Sequence, residues 1–516
     1  MDRSLVLTWV GLSLALLGTI LTFSWNSIFN FIIAKELRLT PTSRVYSIWR
    51  NTPIPLTLDF YFFNWTNPEE VMNEDSKPNL VEMGPYRFKE YLKKTDITWN
   101  TNKTVSFRRR RIWIFDAENS NGSLKDNVTT LNPVAVAAAY ASRFRSSFII
   151  YTLSSALRMT GQTLSLTKTV SEFLYDGYSD PLLTIASHVP HLAQSQFPAE
   201  KFAWFYRRNN TSEQDGHFNM ETGEEDISRI GLVRSWNFKN RSNFYEDECG
   251  EVRGTIGDLY PPGQKKNTPV KMFSAEFCKP LDLDYFEDTE VEGVPGYIYV
   301  GSKSIMDNGT ADPKNLCNCG GVCVPQGVLN ISSCRYGAPG FVSYPHFLDA
   351  DPYYRDRLEG MHPEPAKHRL YLTLEPITGI PLEVAARFQI NLLLQPYKGI
   401  GLFNDVPTLF FPMIWFEENA RITPEFAESV RMLLAVPIVG LYCSISFLLL
   451  GLLILTFPAL PKILGRTKRS WSRHRKGIRA AERTNQEAFS NENNLPLMSP
   501  HSLDEGNCKN ADVTVK

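Results

Sequence analysis

The sequence predicts a membrane protein of the α+β class, in which one large folded domain lies between two transmembrane helices. Uncharged, mostly apolar runs occupy residues 4–34 and 432–461, near the two ends of the chain. Between them, apolar and polar residues alternate along 370–392 as in a β-hairpin, and a helical pattern covers 132–161. The chain has 516 residues, so the middle segment is long enough to bury a large core.

Each apolar run is long enough to cross a bilayer, which requires about 20 apolar residues in a helix. We place the first span at 5–33 and the second at 432–460. A cleaved signal peptide is the alternative for the first run, but its apolar stretch is usually only about 7–15 residues before a small-residue cleavage site. Here Trp25, Asn26 and Phe29 follow instead. We therefore expect an uncleaved span.

The charges that flank the second run predict the orientation of the chain. Eight basic residues follow it with no acid among them: Lys462, Arg466, Lys468, Arg469, Arg473, Arg475, Lys476 and Arg479. Four acids precede it: Glu417, Glu418, Glu425 and Glu428. Because basic flanks stay in the cytosol, residues 1–4 and 461–516 are predicted to be cytosolic and residues 34–431 to form an ectodomain. The tail 461–516 has few large apolar groups, so we expect it to be disordered.

Asn-x-Ser/Thr sequons support this orientation independently, because N-linked glycosylation takes place on the lumenal side. All of them lie between the two runs: Asn64, Asn102, Asn121, Asn127, Asn209, Asn210, Asn240, Asn308 and Asn330. One sequon is a weak signal, but neither tail contains any. Their joint distribution predicts a glycosylated ectodomain.

The cysteines divide between compartments. Cys443 lies in the second run and Cys508 in the tail. Six lie in the predicted ectodomain: Cys249, Cys278, Cys317, Cys319, Cys323 and Cys334. An even number in an oxidising compartment predicts three disulfides, although six thiols permit many pairings and the sequence does not choose among them. A zinc site is the alternative, but the spacing lacks the regular pairs of zinc ligands, so we predict no metal.

Several strands are predicted from period-two alternation. Residues 370–374 and 382–392 alternate on either side of a turn at 376–379, which gives each strand one apolar and one polar face. Such a hairpin belongs to an antiparallel sheet that covers a core or a lined cavity. Shorter runs at 56–63 and 112–115 predict further strands of the same kind.

The helical insert begins with Asn132 as N-cap and Pro133 at the first helical position, and Gly161 ends it. An apolar stripe recurs every three or four residues and is expected to pack inward: Val136, Tyr140, Phe144, Phe148 and Tyr151. Inserts on β scaffolds often carry recognition residues. The basic residues of this insert are therefore candidates for ligand contact: Arg143, Arg145, Arg158 and Lys168.

Residues 107–112 form the most basic stretch of the predicted ectodomain, with four consecutive arginines. An extended strand would show arginines on both faces and could bind an anionic lipid, glycan or lipoprotein surface. The alternative is a solvated edge strand whose charge prevents pairing with another chain, and we favour it.

Signals for catalysis are weak. The ectodomain sequence has no His-Glu-x-x-His zinc motif, no Gly-x-Ser-x-Gly elbow and no phosphate-binding glycine loop. His346, His362 and His368 are candidates for catalysis, but histidines at turns or interfaces are the favoured interpretation. The net charge of −1 gives no reason to expect nucleic acid as a partner.

Several longer stretches resemble the class B scavenger receptors, the family of the fatty acid translocase and the lysosomal integral membrane protein. The stretches are MGPYRF at 83–88, PVAVAAA at 133–139, SYPHF at 343–347, LEPITGIPL at 374–382 and RFQINLLLQP at 387–396, together with the cysteine set. The resemblance implies an antiparallel β-barrel ectodomain with an apical helical bundle and an apolar tunnel that leads to the bilayer. It also implies three pairings: Cys249 with Cys317, Cys278 with Cys334, and Cys319 with Cys323.

A receptor of this family would bind lipids, lipoproteins or other anionic ligands and transfer fatty acid, sterol or carotenoid to the membrane, without enzymatic chemistry or a cofactor. A phagocytic or lysosomal trafficking receptor for protein or apoptotic-cell ligands is the alternative, and a membrane-tethered ectoenzyme is a third. We expect the plasma membrane, with the lysosomal membrane as the alternative, and leave homo-oligomers open. Residues 175–178 read Tyr-Asp-Gly-Tyr where the family often has Trp-Gly-Tyr, which leaves ligand choice open.

Overall fold

The computed structural model describes residues 3–73, 75–188, 200–335, 337–457 and 470–483. Its α-helices are α1 Arg3–Leu37, α2 Arg44–Arg50, α3 Pro133–Ser142, α4 Ser147–Met159, α5 Pro181–His188, α6 Pro352–Arg355, α7 Pro365–His368 and α8 Pro424–Thr456. Residues 470–483 are also helical, where the sequence analysis predicts disorder. The rest of the predicted disordered tail, with Cys508, lies outside the described residues.

The strands are β1 Leu56–Trp65, β2 Leu80–Trp99, β3 Thr104–Phe115, β4 Asn127–Leu131, β5 Ser165–Thr169, β6 Tyr178–Ser179, β7 Lys201–Phe202, β8 His217–Glu221, β9 Val233–Trp236, β10 Val270–Ser274, β11 Lys279–Val291, β12 Val294–Gly301, β13 Leu329–Asn330, β14 Gly340–Ser343, β15 Tyr371–Leu374, β16 Pro381–Leu394 and β17 Leu409–Arg421. The strands predicted at 56–63 and 112–115 are confirmed as parts of β1 and β3. Outside the main sheet, β4 pairs with β5 and β6 pairs with β7.

One antiparallel sheet dominates the described part of the chain. Its order is β10-β11-β12-β15-β16-β17-β1-β2-β3-β8-β9, and β13 and β14 join it beside β16. A short segment nearly closes this sheet, because Val233 N donates to Gly254 O next to β9 while Thr255 N donates to Lys271 O in β10. A mixed helix and sheet fold with a barrel-like antiparallel sheet is thus confirmed.

The predicted hairpin is confirmed in β15 and β16, where Leu372 lies opposite Val384. The polar face of β16 is buried. Arg387 is only 8% exposed, and Gln389 and Asn391 are fully buried. The segment that follows β14 covers this face, since His346 N donates to Gln389 Oε1 at 2.7 Å and Arg387 Nη1 donates to Ala366 O at 3.2 Å. Both faces of β16 are therefore covered, one by apolar and one by polar contacts.

The largest apolar core joins the strands to the helical insert. It contains Phe60 and Phe62 of β1, Val136 of α3, Leu157 of α4 and Phe410 of β17, all of them buried. Because α3 and α4 share this core with the sheet, the insert is anchored to the barrel by packing as well as by its chain connections.

Among the described residues, two helices are long and apolar enough to span a membrane, Leu5–Leu37 and Pro424–Thr456. The second helix begins at Pro424, before the predicted start at 432, and includes Glu425 and Glu428 of the acidic flank, whereas Glu417 and Glu418 lie on β17. The chain divides into two compact units, Met1–Asn26 with Pro437–Lys516, and Ser27–Val436.

Candidate ligand-binding surface

The helical insert starts at the residue that the sequence predicts, but it contains an interruption that the sequence does not predict. Asn132 caps α3, since its Oδ1 accepts a hydrogen bond from Ala135 N at 3.1 Å. Its Nδ2 donates to Thr163 O at 3.1 Å, which ties the start of the insert to its end. The predicted single helix is wrong, because α3 ends at Ser142 and α4 begins at Ser147.

This interruption changes which residues of the insert face solvent. Val136 and Tyr140 pack inward as predicted, but the exposed fractions of Phe144, Phe148 and Tyr151 are 86%, 76% and 64%. The helical period is lost across 143–146, so α4 buries Leu157 and turns the predicted stripe outward. We name Phe144, Phe148 and Tyr151 the aromatic patch.

The candidate arginines lie beside the aromatic patch in the chain. Arg143 ends α3, donates from Nη1 to Tyr140 O at 2.6 Å, and places its guanidinium 4.5 Å from the ring centroid of Phe144. Arg145 is partly exposed, and Arg158, in the last turn of α4, is exposed. Cationic and aromatic side chains therefore alternate over one short, solvent-facing stretch of chain.

The fourth candidate, Lys168, is not on a helix. It lies on β5, opposite Val128 of β4, and its Nζ is 3.8 Å from the Glu172 carboxylate. Its ammonium also lies 5.2 Å from the ring centroid of Tyr178. The ammonium of Lys168, a candidate for ligand contact, therefore already has partners within the fold.

Two of the four consecutive arginines of β3, Arg109 and Arg111, lie in a mostly buried ion-pair network. β8 pairs with β3 at residues 104–108, and Arg111 forms a bridge with Thr211 beyond them, so β3 is not an open edge strand and the favoured interpretation of residues 107–112 is wrong. Arg109 and Arg111 are mostly buried, and each places Nε 3.1 Å from the Asp215 carboxylate. Arg111 also contacts Glu90 at 3.0 Å. These two arginines stabilise the fold and are not available to a surface ligand.

Glu90 is the least solvated carboxylate of this network. Burial raises the pKa of Glu90 to about 7, although Arg111 opposes this shift and Trp113 Nε1 donates to it at 3.0 Å. Desolvation disfavours the charged form of an acid, and a nearby cation restores it only in part. An aromatic group that includes Phe60, Tyr175 and Phe205 lies next to Trp113.

Two of the three candidate histidines, His346 and His368, are brought together. His346 Nε2 lies 2.6 Å from Glu82 Oε2, and the rings of His346 and His368 stack with centroids 4.5 Å apart. The neighbouring Ser343 hydroxyl accepts from Asn391 Nδ2 at 3.0 Å. The exposed ring of His362 is not part of the stack. Sequence reasoning missed Glu82, which directly precedes the MGPYRF stretch.

A family model described as the CD36 family matches residues 9–460. The chain belongs to the CD36 family. Protein peste of Drosophila melanogaster is 38% identical over 442 residues, which are 85% of this chain and 79% of that protein. Scavenger receptor class B member 1 of Bos taurus is 32% identical over 92% of this chain and 93% of that protein. Lysosome membrane protein 2 of Homo sapiens is 31% identical over 84% of this chain and 90% of that protein.

Membership in the CD36 family, together with the two apolar helices, makes this chain a two-span membrane protein of a scavenger receptor family. The cysteine pairs of the structure are those that the family resemblance implies. Cα atoms are 5.9 Å apart in Cys249–Cys317, 6.1 Å in Cys278–Cys334 and 4.6 Å in Cys319–Cys323.

The sequon residues differ in their surroundings in this CD36-family chain. Six are exposed: Asn102, Asn121, Asn127, Asn209, Asn210 and Asn240. Among these, Asn210 accepts from Arg110 Nε at 2.8 Å. Asn64 and Asn308 are half-buried, whereas Asn330 is only 3% exposed. Asn209 is exposed but tied to β3, because its Nδ2 donates to Trp113 O at 3.0 Å and its Oδ1 accepts from Trp113 N at 2.9 Å.

Proposed function

We propose that this chain is a cell-surface receptor that binds lipid or lipoprotein particles through the helical insert and passes fatty acid, sterol or carotenoid through its ectodomain to the membrane. The observation that carries the proposal is the aromatic patch. Phe144 and Phe148 are more than three-quarters exposed on a folded, well-packed insert. Large apolar side chains grouped on a surface are typical of interaction sites.

The chemistry of the surface fits a phospholipid-coated particle. Aromatic rings insert at the boundary between headgroups and acyl chains, and guanidinium groups bind phosphate with paired hydrogen bonds. Arg143 lies against Phe144, and Arg158 ends the same helical segment as Phe148. An apolar and a cationic contact can therefore be made together.

Transfer through the ectodomain is the second part of the proposal. Apolar surface in water costs about 25 cal/mol per Å², so a covered path from particle to bilayer lowers the barrier to transfer without an energy source. The family resemblance and the nearly closed sheet support such a path. No chemistry on the cargo and no cofactor are required.

The test separates particle binding from cargo transfer in cells that express the full chain. Phe144→Ser together with Phe148→Ser removes two exposed rings, each worth about 1.5–3 kcal/mol when buried against a ligand. We expect particle binding to fall at least about tenfold, with uptake of labelled sterol ester falling in proportion. Phe238→Ser is the matched control, because Phe238 is 79% exposed in the loop after β9.

Unchanged binding in the double variant, at equal surface expression, contradicts the role of the patch. Normal binding of particles without any gain of labelled fatty acid, sterol or carotenoid over untransfected cells contradicts transfer. The similarity to lysosome membrane protein 2 favours a second function, a lysosomal or phagocytic trafficking receptor for protein or apoptotic-cell ligands. Engulfment or delivery of a protein to lysosomes without lipid uptake supports that function, and turnover of a soluble ester or glycan supports an ectoenzyme.

A further inference from the structure

Two buried histidines of the segment 340–369, His346 and His368, have a specific pattern of proton donors and acceptors. His346 Nδ1 accepts a hydrogen bond from the backbone N–H of His362 at 3.1 Å. The ring proton of the neutral imidazole is therefore on Nε2, which donates to Glu82 Oε2 at 2.6 Å. His346 is 4% exposed, so water does not replace either partner.

His368 has the same arrangement at its own Nδ1. This nitrogen accepts from the backbone N–H of Glu364 at 2.9 Å. The ring stacks on His346 at an interplanar angle of 20° and meets the face of Trp415 edge-on, with centroids 5.6 Å apart. His368 is also 4% exposed. Two buried, neutral, stacked imidazoles thus each hold one backbone amide.

Both amides belong to one surface segment, residues 359–369, which we name the strap. One end of the strap is fixed to the start of β2, where Glu359 N donates to Pro78 O at 2.9 Å and Leu80 N donates to Glu359 O at 3.2 Å. At the other end, Arg387 Nη1 donates to Ala366 O at 3.2 Å. Between these ends, the strap is held to the loop after β14 by the bond from His362 N to His346 Nδ1 and by the stacking of His368, which belongs to the strap itself, on His346.

We propose that the strap is an acid-released latch, in which protonation of His346 and His368 releases the amides of His362 and Glu364 and loosens the strap from the loop after β14. A proton taken from solvent adds to the Nδ1 lone pair of each ring. That nitrogen then presents an N–H to the backbone N–H it previously accepted, so the hydrogen bond is replaced by repulsion. Two stacked imidazolium rings also repel each other.

Charged groups on all sides of the stack set its response. Glu82 of β2 and Glu364 of the strap favour protonation, while Arg387 of β16 opposes it. Two of these groups already have partners: Arg387 pairs with Glu417 at 3.0 Å, and Glu364 pairs with Lys367 at 2.9 Å. Burial alone would raise the pKa of Glu82, but hydrogen bonds from His346 and Trp415 hold it below its usual value. This carboxylate therefore stays charged beside His346 as the pH falls.

The direction of the effect follows from His368. Burial, with an added contribution from the charge of His346, lowers the pKa of His368 to about 4, against about 6.5 in an unfolded chain. The folded state thus binds this proton more weakly than the unfolded state. The stability that the neutral ring provides is fully present above about pH 6.5 and is lost progressively as the pH falls towards 4.

Release of the strap would uncover aromatic surface. Trp415 is 3% exposed, and its ring stacks on Tyr61 with centroids 3.7 Å apart and planes 2° apart. His368 packs against Trp415 of this pair. The latch therefore couples acid to the exposure of a flat aromatic pair, independently of the proposed lipid transfer.

The test is hydrogen–deuterium exchange of the full-length chain in lipid nanodiscs, at about pH 7.5 and about pH 4.5, corrected for intrinsic exchange. We expect the amides of His362 and Glu364 to lose at least about tenfold protection in acid, while the sheet amides of β16 stay protected. His346→Gln with His368→Asn keeps a hydrogen-bond acceptor for each amide and cannot titrate, so its protection should persist. His362→Asn is the matched control, because only the backbone of His362 takes part, and it should respond like the wild type.

Equal protection of the strap at both pH values in the wild type would overturn the proposal, as would an unchanged acid response in the double variant. Glu82→Gln gives a second measurement that does not depend on the double variant folding. It keeps an acceptor for His346 and Trp415 but removes the carboxylate that favours protonation, so the midpoint of release should fall by about one pH unit. An unchanged midpoint in Glu82→Gln also overturns the latch.

Discussion

Asn330 shows at the scale of one residue why a motif does not establish a modification. It belongs to a sequon, yet its Nδ2 donates to Cys319 O at 2.9 Å and its Oδ1 accepts from Ser332 N at 3.0 Å. The side chain is 3% exposed, so a glycan on Nδ2 would have no path to solvent.

We therefore predict that Asn330 carries no glycan in the folded receptor, whereas the exposed Asn102, Asn121 and Asn240 carry one. The measurement is peptide mapping by mass spectrometry after enzymatic deglycosylation in heavy-oxygen water, which marks each formerly occupied asparagine. The exposed sites serve as internal controls for recovery. A fully marked Asn330 would mean that residues 317–335 fold differently from this structure.

Residues differ in how far the sequence predicts their roles, and the reason is the distance to their partners. Asn132 is predictable as an N-cap because its partner is Ala135, three positions away. Arg109 and Arg111 are not, because their shared partner Asp215 follows more than 100 positions later and reaches them only through the pairing of β3 with β8. Rules based on neighbouring residues predict the contact of Asn132 but not those of Arg109 and Arg111.

For secondary-structure elements, too, the sequence predicts local features better than long-range contacts. The alternation along β15 and β16 predicts the hairpin correctly, because side-chain period is a local property of a strand. It does not predict that the polar face is buried, since the cover comes from segment 340–369 and its hydrogen bonds to Gln389 and Asn391. Likewise, the insert reads as one helix, and only the packed structure places a break after Ser142 and the aromatic patch outside.

The two membrane helices make a prediction at this scale, because glycines bring them into close contact. A Cβ added at Gly18 would lie 2.7 Å from Leu448 Cα, and one at Gly451 would lie 2.8 Å from Ala15 Cα. Small residues let membrane helices approach and gain packing contacts where lipid offers no hydrophobic drive.

We expect Gly18→Leu to separate α1 from α8 and to destabilise their packing by about 1–3 kcal/mol, the usual cost of overpacking. The measurement is the thermal midpoint of the detergent-solubilised chain, followed by size-exclusion fluorescence, which should fall by several degrees. Leu16→Ile is the control, since Leu16 is 60% exposed within this pair of helices. Equal midpoints for the two variants would contradict the close approach of the helices.

At the scale of the whole molecule, the predicted topology depends on an asymmetry of charge and on the positions of the sugar acceptors along the chain. The basic residues after α8 and the position of all sequons between the two apolar helices favour both ends in the cytosol. Ectodomain disulfides agree with this orientation, because they persist in oxidising compartments. The orientation is therefore testable with new acceptor sites on either side of α8.

Asn493→Ser completes a sequon that begins at Asn491 in the tail, and Lys266→Asn completes one with Thr268 in an exposed loop before β10. We expect Lys266→Asn to add one glycan and Asn493→Ser to add none, because only the ectodomain meets the glycosylation machinery. The readout is the mobility of each full-length variant before and after deglycosylation. The loop variant proves that a new acceptor can be used, so a sugar gained by the tail variant would reverse the orientation and place the basic segment outside the cytosol.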